Sequence, residues 1–93
     1  METSRARRFS GAAKLHDEAL KLNPNNALAY YGRGTAYYGL RQYKLAIQDL
    51  NKALSLLEHP IIYHNRGLCY QELGDKKKAQ ADFAKAKELG YKG

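Results

Sequence analysis

Histidine stands at positions 16, 59 and 64, and cysteine once, at 69. With the nine carboxylates, these are the side chains from which a hydrolytic, nucleophilic or metal centre would be built. A zinc hydrolase sets two histidines on one helix face with a glutamate between them, and a structural zinc site needs paired cysteines or a Cys/His set. Neither spacing occurs. A phosphate loop needs a run of glycines ahead of a helix, whereas the glycines here fall inside or just after helical stretches. Cys69 follows Arg66-Gly67 at the spacing at which Ala36 follows Arg33-Gly34, as a small core residue would. His64 reads as a surface or groove residue rather than a metal ligand. No catalytic, cofactor-binding or metal-ligating residue is assigned, and neither an enzyme activity nor a small-molecule substrate is expected.

The side chains that do recur are tyrosine, arginine and aspartate. Tyr30 to Tyr37 reads YYGRGTAY, and Tyr63 to Tyr70 reads YHNRGLCY, one short period on. With Gly34 aligned to Gly67, Arg33 meets Arg66. Further on, Ala46, Asp49, Leu50 and Ala53 meet Ala79, Asp82, Phe83 and Ala86. Upstream, Phe9, Ala12, Ala19, Leu20 and Leu22 stand where Tyr43, Ala46, Ala53, Leu54 and Leu56 stand one unit later. The chain therefore holds two complete units and the second half of an earlier one. The division is 1–8 as an N-terminal extension, 9–26 as a half unit, and 27–59 and 60–93 as full units.

Helices must position these residues. Tyr43, Ala46, Ile47, Leu50, Ala53, Leu54 and Leu57 form an amphipathic stripe. Asn-Pro-Asn-Asn at 23–26, His59-Pro60 and Gly74-Asp75 supply stops and caps between stripes. The pattern predicts about five helices, near 10–22, 27–40, 43–57, 60–73 and 76–89, and no strand. Within each unit, a tyrosine on either side of a glycine leaves two knobs and a gap: Tyr30, Gly34, Tyr37 and then Tyr63, Gly67, Tyr70. The following helix offers small residues about a bulky one: Ala46, Leu50, Ala53 and then Ala79, Phe83, Ala86. Small opposite large lets helices nest closely. A mid-helix glycine costs about 1 kcal/mol against alanine, which close packing must offset. Arg33 and Arg66 lie beside the seam, about 60° from the tyrosine three residues back. Their recurrence in step with Asp49 and Asp82 predicts an ion pair across each hairpin.

These residues resemble the tetratricopeptide repeat family, from about Phe9 to Leu89. The shared pattern is aromatic, Gly, aromatic, then Ala, bulky apolar, Ala, with Pro24 where that family closes a repeat. Departures are Arg33 and Arg66 in place of the commoner leucine, Arg41 where a helix-ending glycine is usual, and His16 at a bulky apolar place. The resemblance implies an all-α, antiparallel helix-hairpin solenoid wound as a right-handed superhelix. It also implies a concave groove lined by the first helix of each pair, receiving a peptide or protein. Helical geometry supplies the groove candidates: Leu28, Tyr31, Thr35 and Tyr38 in one unit, and Ile61, His64, Asn65, Leu68 and Gln71 in the next. Packing against neighbouring helices is the alternative for these residues. Some family members clamp a terminal carboxylate with Lys, Arg and Asn on these faces; here only Asn65 has the right type and place, so no such clamp is expected.

The first unit lacks its own first helix, so Phe9, Ala12, His16 and Ala19 are expected to present an unpaired stripe. Either residues 1–8 extend the first helix, or two chains pair through it as a homodimer, or hairpins swap between chains. A truncated or designed array whose main partner is itself is the leading alternative to a peptide-binding module.

Composition narrows the partners. The formal charge is +7, from 16 Lys and Arg against nine Asp and Glu. Nucleic acid is disfavoured all the same, because tyrosines and basic residues do not interleave on one face. No apolar run reaches the roughly 18 residues of a membrane span, and the basic N-terminus lacks the apolar core of a secretory signal. A single cysteine fits a reducing compartment, so a cytoplasmic location is the expectation.

Overall fold

The computed structural model describes residues 2–92, with side chains described from Ala6 onward. It holds α1 (Glu2–Leu22), α2 (Ala27–Gly39), α3 (Tyr43–Leu56), α4 (Pro60–Glu72) and α5 (Lys76–Glu88). No strand occurs among the described residues. Each helix packs on the next in sequence, and α2 also touches α4. Contacts between successive helices, and between the first helices of successive units, are the packing of a helical repeat array.

The boundaries follow from local chemistry. Asn26 caps α2, its side chain accepting from the Ala29 amide at 3.1 Å. His59 caps α4 through Nδ1, which accepts from the Ile61 amide at 3.2 Å, with Pro60 in the first turn. Asp75 caps α5 by accepting from the Lys78 amide at 3.1 Å. The helix ends repeat as well. The amides of Gln42, Asp75 and Tyr91 reach back to the carbonyls of Tyr37, Tyr70 and Ala86, each at 2.9 Å. Each such turn needs a left-handed residue just before it. Gly74 and Gly90 fill that place with φ of 83° and 106°, and Arg41 fills it with φ of 62°. The turn geometry thus overrides the side chain at Arg41.

The core is centred on α3. Ala46, Leu50, Ala53, Ile62 and Cys69 are buried, and Tyr30, Tyr37, Tyr43, Ile47 and Leu54 pack around them. Close approach at the glycines is explicit. A Cβ on Gly34 would lie 3.1 Å from the Ala46 carbonyl and 3.1 Å from Leu50 Cγ. On Gly67 it would lie 2.7 Å from the Phe83 ring and 3.2 Å from the Ala79 carbonyl.

The first helix differs from the sequence-based expectation in two respects. It begins at Glu2, upstream of residue 10, so that residues 2–8 extend it, as one of the three expected alternatives had it. Phe9 and His16 are also not left open, because α2 receives both. A Cβ on Gly39 would fall 2.6 Å from the Phe9 ring, and one on Gly32 would run into the His16 imidazole. The two rings are spaced along α1 as the two glycines are spaced along α2. Ala13 and Leu20 of α1 are buried. Ala12 and Ala19 are half-buried, while Leu15 and Leu22 stay open, at 68 % and 89 % exposed.

The glycines of α1 and α2 should therefore respond oppositely to one methyl group. Gly11 faces open space, so Gly11→Ala should stabilise the chain by about 0.5–1 kcal/mol through helix entropy. Gly39→Ala should destabilise it, because the Phe9 ring must leave its seat. Equilibrium urea unfolding of the two variants reads both signs.

Candidate functional site

The two arginines form matching clasps, each gripping three helices. Arg33 Nε and Nη2 donate to Asp49 Oδ2 and Oδ1, both at 2.8 Å, and Nη1 donates to Asp17 Oδ1. Arg66 Nε and Nη2 donate to Asp82 Oδ2 and Oδ1 at 2.9 and 2.7 Å, and Nη1 donates to Asn51 Oδ1 at 2.9 Å. Each guanidinium lies near the preceding tyrosine on its own helix: 5.7 Å for Arg33 and Tyr30, 5.5 Å for Arg66 and Tyr63. Arg66 also lies 5.9 Å from the Tyr70 ring. Only a planar fork can serve a bidentate carboxylate and a third acceptor together, which lysine cannot do. The hydrogen bonds that Arg33 donates to Asp49 hold it above the ordinary arginine range, outweighing desolvation that pulls the other way. Asp82 does the same for Arg66. Both arginines are thus engaged within the fold.

Asp17 and Asn51 are the partners that reasoning from the repeat missed. They are related by the same step as Phe9 and Tyr43. That offset was the available signal. It joins the second helix of one unit to the first helix of the next.

The groove candidates do not all share one environment. Tyr31, Thr35 and Asn65 come together where α2 meets α4: Asn65 Nδ2 donates to the Tyr31 hydroxyl at 3.3 Å and to Thr35 Oγ1 at 3.4 Å. Thr35 in turn donates to the Tyr31 carbonyl at 2.8 Å. Beside them Leu28 is 68 % exposed, and Ile61 packs on the core edge. Tyr38 belongs to the packing: its ring centroid lies 5.6 Å from that of Tyr43. Burial, then Glu72, Tyr43 and Cys69, raise its pKa. Leu68 is half-buried and Gln71 exposed. The His64 ring lies 5.3 Å from that of Phe83 and 4.3 Å from that of Tyr91.

Among the described residues, no group of three His, Cys, Asp or Glu could hold a metal ion. Cys69 is fully buried. Burial, with a smaller push from Glu72, raises its thiol pKa to about 11, which leaves little thiolate to act as a nucleophile.

Stacked antiparallel hairpins, glycine-to-alanine nesting and a two-helix face built from successive first helices define a class of helical-repeat protein. The family profile described as tetratricopeptide repeat matches residues 27–59 and, in a second version, 61–89; one described as TPR repeat matches 8–40. The chain belongs to the tetratricopeptide repeat family. It is 38 % identical over 77 residues to human tetratricopeptide repeat protein 28, covering 82 % of this chain and 3 % of that one. It is 40 % identical over 63 residues to the mitochondrial import receptor subunit TOM70 of Saccharomyces cerevisiae, covering 68 % and 10 %. It is 31 % identical over 80 residues to human serine/threonine-protein phosphatase 5, covering 85 % and 16 %. The chain thus spans only a small part of each of these relatives. Among solved structures, MamA MSR-1 superposes with a TM-score of 0.82 at 23 % identity, over 95 % of this chain and 52 % of that one. No helix among the described residues is long and apolar enough to cross a membrane.

Asp49→Ala should cost about 3 kcal/mol, since it strands a part-buried guanidinium. The Arg33→Met/Asp49→Ala double variant should cost less than the sum of the singles. Asp17→Ala, at the exposed arm of the clasp, should cost about 0.5–1 kcal/mol. Urea unfolding of the set reads the coupling, and additive losses would contradict it.

Cys69 offers a pH test. Its raised pKa gives stability that is whole below the ordinary thiol range and is lost as pH rises toward about 11. Cys69→Ala should lack that part of the alkaline decline. At pH 8 the native thiol should react with a disulfide reagent about a hundredfold more slowly than a free cysteine.

Proposed function

We propose that this chain is a non-enzymatic scaffold for protein–protein interaction, and that α2 and α4 together carry its partner-binding face. The observation that carries the reading is the Asn65–Tyr31–Thr35 contact. It joins the two first helices into one surface beside the exposed Leu28. Tyrosine offers broad contact at low entropy cost, and a hydrogen-bonded amide fixes the spacing between the helices. Both arginines are already committed to the clasps, so this face recognises shape and apolar side chains more than charge. Leu28, Tyr31, Thr35, Ile61, Asn65 and Leu68 are its working residues. Tyr38 keeps it rigid from behind. Membership of a family whose repeats also occur in an import receptor subunit and a protein phosphatase supports the same reading.

Self-association is the second reading. Ala12 and Ala19 occupy the places of Ala46 and Ala53, which a helix covers completely one unit later. Exposed Leu15 and Leu22 favour pairing of two chains along that side of α1.

One pair of experiments separates the readings. Proteins captured by the wild-type chain should be lost from Leu28→Asp and Leu68→Asp chains whose helicity is unchanged, while sedimentation equilibrium returns a monomer mass. A stable dimer that Leu15→Asp dissociates, with capture indifferent to both α2/α4 substitutions, would favour self-association instead.

A further inference from the structure

We propose that the cleft between the C-terminal end of α5 and His64 of α4 binds an acidic peptide segment, one in which a carboxylate side chain adjoins an aromatic or aliphatic one. This rests on the scaffold reading above and adds a second contact region with its own chemistry.

The cleft encloses about 570 Å³ and is lined by His64, Phe83, Lys87, Gly90, Tyr91 and Lys92. Its floor is aromatic. The Tyr91 ring stacks on the His64 imidazole at 4.3 Å with 29° between planes, and Phe83 meets His64 from below at 5.3 Å. Gly90, at φ 106°, and the bond from the Tyr91 amide to the Ala86 carbonyl turn the chain back so that Tyr91 can reach His64. Two ammonium groups stand at the cleft and no carboxylate lines it. Among the described residues neither Lys87 nor Lys92 is ion-paired, whereas Lys85 beside them is paired to Glu88.

The repeat indicates what does not belong there. One unit earlier, the positions of His64, Phe83 and Lys87 are held by Tyr31, Leu50 and Leu54. There the next helix, α4, closes over them with Ile61 and Ile62. In unit 60–93 Lys87 stands in the place of Leu54, and Gln80 in that of Ile47. An apolar helix laid over Lys87 would have to leave its ammonium group a path to water. A solvated acidic peptide meets both needs: its carboxylate pairs with Lys87 and Lys92, and its apolar side chain lies on the Tyr91–His64 stack. The net charge of +7 steers such a segment toward the protein.

The test uses the full 93-residue chain and two blocked pentapeptides, one with a Glu-Phe-Glu centre and one with Gln-Phe-Gln, followed by calorimetry and by the His64 and Tyr91 ring proton shifts. The charged peptide should bind about tenfold or more tighter than the neutral one, with affinity falling as salt rises. Lys87→Glu/Lys92→Glu should abolish that preference, and Tyr91→Ala should weaken binding about fivefold, by loss of the stacking surface. Equal affinity for the two peptides would overturn the proposal. So would indifference to the lysine reversal, or inorganic phosphate displacing the charged peptide at equal concentration. Leu28→Asp should leave peptide binding intact. If it does while the captured proteins are also unaffected, the α2/α4 face falls and the cleft stands; if the peptides are not distinguished while Leu28→Asp loses the captured proteins, the reverse holds.

Discussion

Everything in this fold depends on how closely α2 approaches α3 at Gly34, and α4 approaches α5 at Gly67. With no side chain at either position, the facing helix brings its carbonyl within van der Waals reach of the missing methyl. That distance fixes where the tyrosines can lie: on either side of the gap, against the alanines and the bulky residue of the partner helix. It also fixes the arginine. Sitting next to the glycine, Arg33 is carried so near α3 that a short aspartate can receive it with both oxygens. A wider separation would leave the same two charges in solvent, where their pairing is worth little.

The clasps then convert hairpins into an array. Packing within a hairpin needs only the glycine and the alanines. Relating one hairpin to the next needs a contact with direction, and the third arm of each arginine supplies it, from α2 back to α1 and from α4 back to α3. The orientation of α2 relative to α4 follows, and with it the spacing at which Asn65 meets Tyr31 and Thr35. The surface proposed for a partner is in this sense set by residues that lie outside it. The helices α1 and α5 differ in kind: α1 leaves Leu15 and Leu22 open, while α5 turns lysine and glutamine outward.

Much of the architecture could be read in the sequence, because its signals repeat. Helix stripes, the capping residues Asn26 and Asp75, and the paired glycines all occur in step, and the family profiles and solved structures agree on the all-α repeat. Asp49 and Asp82 come into view for the same reason. Asp17 and Asn51 are less plain: they stand at matching positions of α1 and α3, but what recurs is a hydrogen-bond acceptor and not a residue type. The docking of Phe9 and His16 onto Gly39 and Gly32 occurs once only, so no repetition announced it. The division of the α2 and α4 residues between packing and display was illegible for another reason. Tyr31 and Tyr38 have the same type, lie on the same face and both pack against the core, so type and face do not separate packing from the proposed display.

The most direct test of the central claim replaces both gaps at once. Gly34→Leu/Gly67→Leu should push α2 from α3 and α4 from α5, lowering the thermal midpoint by about 10 °C or more and dispersing the near-ultraviolet tyrosine signal. A doubly substituted chain that melts no earlier than the wild type, with its tyrosine signal and hydrodynamic radius unchanged, would show that close nesting at the glycines does not hold this structure together.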